Sequence, residues 1–190
     1  MLKKFTTILL FAGVCAQMQA KKFHVDIDYH YSLGLYEKYA GESLTRGNYD
    51  MGGHALDLTF RYDVIKNLSV GAGIGLDRYT EPEYNTLPVY VTARYYPIEK
   101  VPHAYTYANL GYAIDAGDES TFYRGMTGGI GIGYTLMLSK KFGFNFQIGY
   151  NYKDFKDNYY VDYDKKNDDY YYRKITSHRH SVTFGLGITF

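Results

Sequence analysis

The sequence predicts an all-β fold, an eight-stranded antiparallel up-and-down transmembrane β-barrel. Three observations carry that prediction. In residues 181–190 the bulky apolar side chains Val182, Phe184, Leu186, Ile188 and Phe190 alternate with Ser, Thr and Gly. A period of two sends these sets to opposite faces of a strand. A face of only Ser, Thr and Gly fits a crowded lumen; a soluble surface would carry mixed charge. Seven earlier segments repeat the alternation, each near the roughly ten residues that a tilted strand needs to cross a bilayer. The links also alternate, short after the second, fourth and sixth segments and long or polar after the others, as turns and loops do at the two ends of such a barrel.

Residues 1–20 stand apart from the fold. Lys3 and Lys4 precede an apolar run over 8–16, and Ala20 offers a cleavage point, which together read as a secretory signal peptide too short to span a bilayer. The only cysteine, Cys15, lies in this segment, and Val14 before it does not suit a lipoprotein signal. Cleavage after Ala20 would leave a single barrel domain, 21–190, with no cysteine and so no disulfide.

The first strand, 23–36, sets Phe23, Val25, Ile27, Tyr29, Tyr31, Leu33 and Leu35 against His24, Asp26, Asp28, His30, Ser32 and Gly34. The second, 53–62, sets Leu56, Leu58, Phe60 and Tyr62 against Asp57, Thr59 and Arg61. The third, 68–77, opposes Leu68, Val70, Ala72, Ile74 and Leu76 to Ser69, Gly71, Gly73 and Gly75. The fourth, 87–96, opposes Val89, Val91, Ala93 and Tyr95 to Tyr90, Thr92 and Arg94. In the fifth, 104–114, Ala108, Leu110, Tyr112 and Ile114 face outward, leaving Tyr105 and Tyr107 pointing in unless a bulge intervenes. The sixth, 125–136, pairs Ile130, Ile132, Tyr134 and Leu136 with Gly129, Gly131 and Gly133. The seventh, 142–152, pairs Phe144, Phe146, Ile148 and Tyr150 with Asn145, Gln147 and Gly149, and 181–190 is the eighth. Short links at 63–67, 97–103 and 137–141 place both termini at the turn end, expected to be periplasmic. Tyr62, Tyr95 and Phe190 are then expected in one interfacial girdle, and Tyr36, Tyr79 and Tyr152 in the other.

Composition agrees with this. The mean hydropathy of −0.36 is that of a soluble chain, which a membrane barrel reproduces because only alternate strand residues meet lipid. With 24 Tyr, 11 Phe and no Trp, girdles must be built from Tyr and Phe. A net charge of +1 offers nothing for nucleic acid. The competing architecture is a soluble barrel with its apolar face inward, whose exterior would be the Gly/Thr/Ser/Asn face.

The chain resembles the small outer-membrane β-barrel family of OmpA/OmpX type from Gram-negative bacteria. The resemblance rests on the Phe190-terminated strand, on Val89-Tyr90-Val91-Thr92-Ala93-Arg94-Tyr95-Tyr96, and on eight strands over 21–190. It implies an outer-membrane location, contact with lipid and lipopolysaccharide, and Phe190 as the signal read by the barrel-assembly machinery. The family spans anchors, adhesins and lipid-modifying enzymes, so the resemblance names a class rather than an activity.

Four inward charges are candidates for the lumen: Asp26, Asp28, Arg61 and Arg94, all near the turn end. Unpaired charge in a space that side chains fill is costly, so Asp–Arg pairing into a plug is expected. Removal of either arginine should then weaken the barrel or make it leak. His24, His30 and His54 invite a metal or general-base reading, but no ligand set of proper spacing accompanies them, and neither metal nor cofactor is expected. His30-Tyr31-Ser32 resembles the His-x-Ser of lipid A deacylase barrels, without the Asn that would extend the match. The Gly71-x-Gly73-x-Gly75 and Gly129-x-Gly131-x-Gly133 runs sit inside strands with no helix after them, so they make lumen space rather than a phosphate loop.

The last loop, 153–177, is the best candidate binding surface. Tyr159, Tyr160, Tyr163, Tyr170, Tyr171 and Tyr172 flank Asp164 to Asp169, which suggests that the last two strands continue beyond the membrane as a hairpin. The expected function is non-enzymatic, a surface barrel whose loops serve adhesion or envelope integrity through an extracellular protein or host surface. A narrow pore and a lipid A-modifying enzyme are the alternatives.

Overall fold

The structure is a computed structural model that describes residues 22–81, 83–114, 122–164 and 169–190; the expected signal peptide lies outside these. Nine strands are found among the described residues: β1 (Phe23–Tyr39), β2 (Glu42–Thr45), β3 (Gly52–Ile65), β4 (Leu68–Tyr79), β5 (Asn85–Tyr95), β6 (Ala104–Ile114), β7 (Gly125–Met137), β8 (Gly143–Asp164) and β9 (Asp169–Thr189). Eight of them are staves. Each pairs antiparallel with the next, and β1 closes on β9 from Asp26↔Thr189 to Lys38↔His178. The ninth, β2, is a short return strand on the upper part of β1.

The barrel is polar inside and apolar outside. Ile27, Leu56, Phe60, Ile74, Val91, Leu110, Ile130, Ile148 and Leu186 belong to an exposed belt drawn from every stave. Thr59, Ser69, Thr92, Thr135, Asn145 and Thr183 are buried in the lumen. A belt that encircles the molecule far exceeds the apolar patches of soluble monomers, and hydrocarbon is the solvent that accommodates it. The soluble, apolar-inside barrel is thereby excluded.

Parity corrects one expectation about the girdles. Tyr62, Tyr95 and Phe190 do face outward at the turn end, and Tyr36 and Tyr152 lie outward at the loop end. Tyr79 does not, being 4% exposed and inside the loop-end mouth. Leu76 faces out, and a position three residues on must face in.

β6 runs in unbroken register against both neighbours, so no bulge relieves the two inward tyrosines. Facing glycines do so instead. A Cβ at Gly133 would stand 2.6 Å from Tyr105 Cε2, one at Gly131 would stand 2.7 Å from Tyr107 Cε1, and one at Gly73 would stand 2.5 Å from Tyr90 Cζ. Gly133→Val should therefore displace Tyr105 and lower stability by about 1–3 kcal/mol, measured by urea unfolding of the refolded barrel. Unchanged unfolding would show that the ring has room elsewhere.

The last two staves extend well past the others. β8 and β9 pair as far as Asp164↔Asp169, beyond the end of β7, and form the projecting hairpin that the tyrosine-rich loop implied.

Candidate functional site

Three tiers of buried polar side chains cross the lumen. The first lies at the turn end and brings together the four charges singled out in the sequence. Arg61 grips Asp26 two-handed, Nε to Oδ2 at 2.5 Å and Nη2 to Oδ1 at 3.0 Å. Arg94 Nη2 lies 3.3 Å from Asp28 Oδ2 and 3.4 Å from Asp26 Oδ2. The pairing follows from register: Asp26 stands opposite Thr59 on β3, one inward position from Arg61, and closure of the barrel brings β5 within reach. Arg61 Nη1 also donates to Ser69 Oγ at 2.9 Å, and the Arg94 guanidinium packs 4.6 Å from the centre of the Tyr105 ring. Asn145 completes the tier, donating from Nδ2 to Asp28 Oδ1 at 3.1 Å while its own Oδ1 accepts from Thr135 at 2.8 Å. Its inward position on the seventh strand was legible, but Asp28 lies 117 residues away in sequence, and so does Asp26 at 119, whose Oδ1 stands 3.4 Å from Asn145 Nδ2.

The middle tier is looser. His30 Nδ1 lies 2.9 Å from Asp57 Oδ2, and His30 Nε2 lies 3.3 Å from Gln147 Oε1. Thr59 and Tyr90 share a hydrogen bond of 2.7 Å. Between this tier and the next is a cavity of about 60 Å³ lined by His30, Ser32, Asp57, Tyr107 and Lys153 among others. The three histidines considered as a cluster are dispersed: His24 bonds Asp63 at 3.0 Å, and His54 faces outward to meet Tyr29 Oη at 2.6 Å. Among the described residues, no three His, Cys, Asp or Glu side chains converge as a metal site would require.

The third tier, at the loop end, is one that sequence reasoning missed. Arg179 Nε donates to Glu37 Oε2 at 2.8 Å, Tyr49 Oη donates to the same oxygen at 2.8 Å, and Arg179 Nη2 donates to Glu81 O at 3.0 Å. The Tyr79, Phe155 and Tyr84 rings surround the guanidinium at 5.1, 5.4 and 5.7 Å. Burial, reinforced by the bond to Glu37, pushes the Tyr49 hydroxyl above its usual pKa. Beside this group Lys153 pairs with Asp77 and lies 3.2 Å from Thr86 Oγ1. Asn158 Nδ2 ties the hairpin base to Tyr84 Oη at 3.0 Å and to Ser177 Oγ at 3.1 Å. Extending the alternation of 181–190 upstream would have pointed Arg179 inward. Glu37 was hidden by a bulge between Gly34 and Tyr36, which resets the parity of β1.

The outer hairpin has two unlike faces. Pairing puts Val161 beside Tyr172 and Tyr163 beside Tyr170 on one face, and Tyr160 beside Arg173 and Asp162 beside Tyr171 on the other. The second face is satisfied within itself: Tyr171 Oη donates to Asp162 Oδ2 at 3.2 Å, Arg173 lies 5.9 Å from the Tyr160 ring centre, and Tyr160 meets Tyr39. The first face is the more exposed, with Tyr170 67% and Tyr172 73% exposed and the Tyr163 and Tyr170 rings packed together at 5.1 Å. The side chain of Tyr159 lies outside the described residues.

No family model matches the sequence, and no curated protein matches it. Among solved structures the chain is similar to Neisserial surface protein A, at 13% identity over 88% of this chain and 95% of that one, with a TM-score of 0.48. It is similar to Ail, the attachment invasion locus protein of Yersinia pestis, solved with the heparin analogue sucrose octasulfate, at 15% identity over 89% and 99%, with a TM-score of 0.47. It is also similar to the outer membrane protein OprG of Pseudomonas aeruginosa, at 16% identity over 89% and 96%, with a TM-score of 0.44.

Proposed function

We propose that the chain is a closed, non-enzymatic barrel of the bacterial outer membrane that holds a tyrosine-rich hairpin on the cell surface for binding an extracellular partner. The turn end and both termini face the periplasm in this reading, and the hairpin faces out. The observation that carries it is the contrast between the two regions. The lumen is crossed at both ends by buried ion pairs, Arg61–Asp26 and Arg179–Glu37, whereas Val161, Tyr163, Tyr170 and Tyr172 lie exposed on a ribbon beyond the barrel. Tyrosine supplies large contact area at low conformational cost, which suits such a role.

The arrangement of His30 and Ser32 supports the non-enzymatic reading. Both belong to the lumen side of β1, and the barrel wall separates them from the belt, so an acyl chain in the surrounding lipid reaches neither. The charged tiers likewise oppose a pore. The refolded wild-type barrel should show no steady current in a planar bilayer, and a steady current would overturn this reading.

The role of the hairpin is tested by replacing 160–173 with an Asn-Gly turn between Tyr159 and Lys174, which face each other in register. Asn158 and Ser177 are kept, because they anchor the base. Cells displaying the shortened protein should lose binding to host-cell or extracellular-matrix surfaces while the barrel still folds, as judged by its gel mobility before and after heating. Retained binding would move the function away from the hairpin.

A further inference from the structure

On the outward side of the seam between β7, β8 and β9, just past the apolar belt, three cations and one carboxylate line a single concavity. Arg124 Nε donates to Asp157 Oδ2 at 2.7 Å, and Lys174 Nζ lies 3.7 Å from Asp157 Oδ1. Lys156 Nζ lies 5.4 Å from the ring centre of Tyr112, an outward residue at the upper edge of the belt. Ile175 and Thr176 complete the concavity. A local irregularity builds it. The register of β8 against β9 shifts between Phe155 and Asn158, Asp157 has a left-handed φ of 63°, and Lys156 N donates to Arg124 O at 2.8 Å. An ordinary pleat would send Lys156 and Asp157 to opposite faces; here both line one concavity. The Arg124 guanidinium holds the Asp157 carboxyl below its usual pKa, so the carboxylate stays charged and fixes two of the cations in place. Among the described residues that line the concavity, three are cationic and one is anionic.

We propose that this concavity binds the phosphate of a phosphorylated glycolipid headgroup in the leaflet surrounding the barrel. The inference rests on the outer-membrane reading, with the hairpin on the outer side. Its height is the first argument. Tyr112, Met126 and Tyr152 mark the end of the belt, and headgroup phosphates lie at the level where hydrocarbon stops. Chemistry is the second. A phosphate monoester offers up to two charges and three acceptor oxygens, which suits an arginine fork flanked by two lysines. Lys156 can lay its stem along Tyr112 and raise its ammonium to the same level. Continuity is the third. Val161, Tyr163, Tyr170 and Tyr172 lie on the hairpin face that carries Lys174, so aromatic faces stand above the cations where sugar rings would follow.

The test uses the protein refolded in phosphatidylcholine vesicles containing either bisphosphorylated lipid A or its dephosphorylated form. The barrel is then extracted in mild detergent, and retained lipid A is counted by native mass spectrometry. The wild type should keep the bisphosphorylated lipid. Arg124→Gln/Lys156→Gln/Lys174→Gln should keep at least about tenfold less, given the contribution of each basic residue to anionic-lipid binding. The single variant Lys156→Glu should fall in the same direction, and it serves if the triple variant does not fold. Equal retention by wild type and variants, or equal retention of the dephosphorylated lipid, would overturn the proposal. Displacement of lipid A by millimolar inorganic phosphate would reassign the site to free phosphate and overturn the glycolipid assignment. Protease cleavage of the hairpin on intact cells reports orientation separately, so a failed site and a failed orientation give different results.

Discussion

Arg61→Ala is expected to be the most destabilising single substitution in the lumen, lowering stability by about 3–5 kcal/mol. Arg61 and Asp26 are 3% and 0% exposed, and the guanidinium supplies two of the hydrogen bonds that Asp26 receives. Truncation leaves a buried carboxylate near the turn end with Arg94 as its remaining cation, 3.4 Å away. Arg94 is already shared with Asp28 at 3.3 Å, so it does not replace what is lost. The measurement is urea unfolding of the refolded barrel followed by gel mobility. Asp26→Asn/Arg61→Gln is the informative companion. It removes both charges together and should cost less than Arg61→Ala alone, because the penalty lies in the orphaned charge more than in the missing bond. A loss under about 1 kcal/mol in Arg61→Ala would show that the pair is not desolvated as the geometry implies.

The second large effect concerns permeation. Arg94→Ala/Arg179→Ala is expected to conduct ions in a planar bilayer, while each single variant stays closed. The two arginines sit in different tiers, Arg94 against Tyr105 at the turn end and Arg179 among Tyr79, Tyr84 and Phe155 at the loop end. Constrictions in series do not substitute for one another, so an ion that passes one still meets the other. From the sequence alone, loss of Arg94 would be expected to cause leakage, since only the turn-end charges were recognised. The Glu37–Arg179 tier changes that expectation. Steady current from Arg94→Ala alone would dismiss the loop-end tier as a barrier. A silent double variant would mean that the aromatic side chains, and not the charges, close the lumen.

Much of this architecture was legible because alternation is a local property. Phe23 to Leu33 shows the outward face of β1, and Val182 to Phe190 that of β9, with no knowledge of any neighbour. The same parity placed Asp26, Asp28, Arg61 and Arg94 on the inner wall near one end. It failed where a single residue altered the count. The bulge at Gly34 and Tyr36 hid Glu37. Tyr79 is a different case, assigned to a girdle although unbroken alternation along β4 turns it inward. It was also silent on fit between strands. Tyr105 and Tyr107 looked anomalous in β6 until Gly131 and Gly133 of β7 were seen to face them. His54 was grouped with His30, yet the two point to opposite sides of the wall.

By itself, then, the sequence determined the all-β class, the number of staves, their inner and outer faces, and the projecting hairpin, because each follows from periodicity within about ten residues. Only the tertiary structure decided which charge meets which. Arg179 reaches Glu37 across 142 residues, Asn145 reaches Asp28 across 117, and the Arg124–Asp157–Lys174 concavity forms where three strands meet beside a bulge. Such partnerships depend on barrel closure and stagger, which set relative heights between strands and leave no trace in the pattern of any one of them.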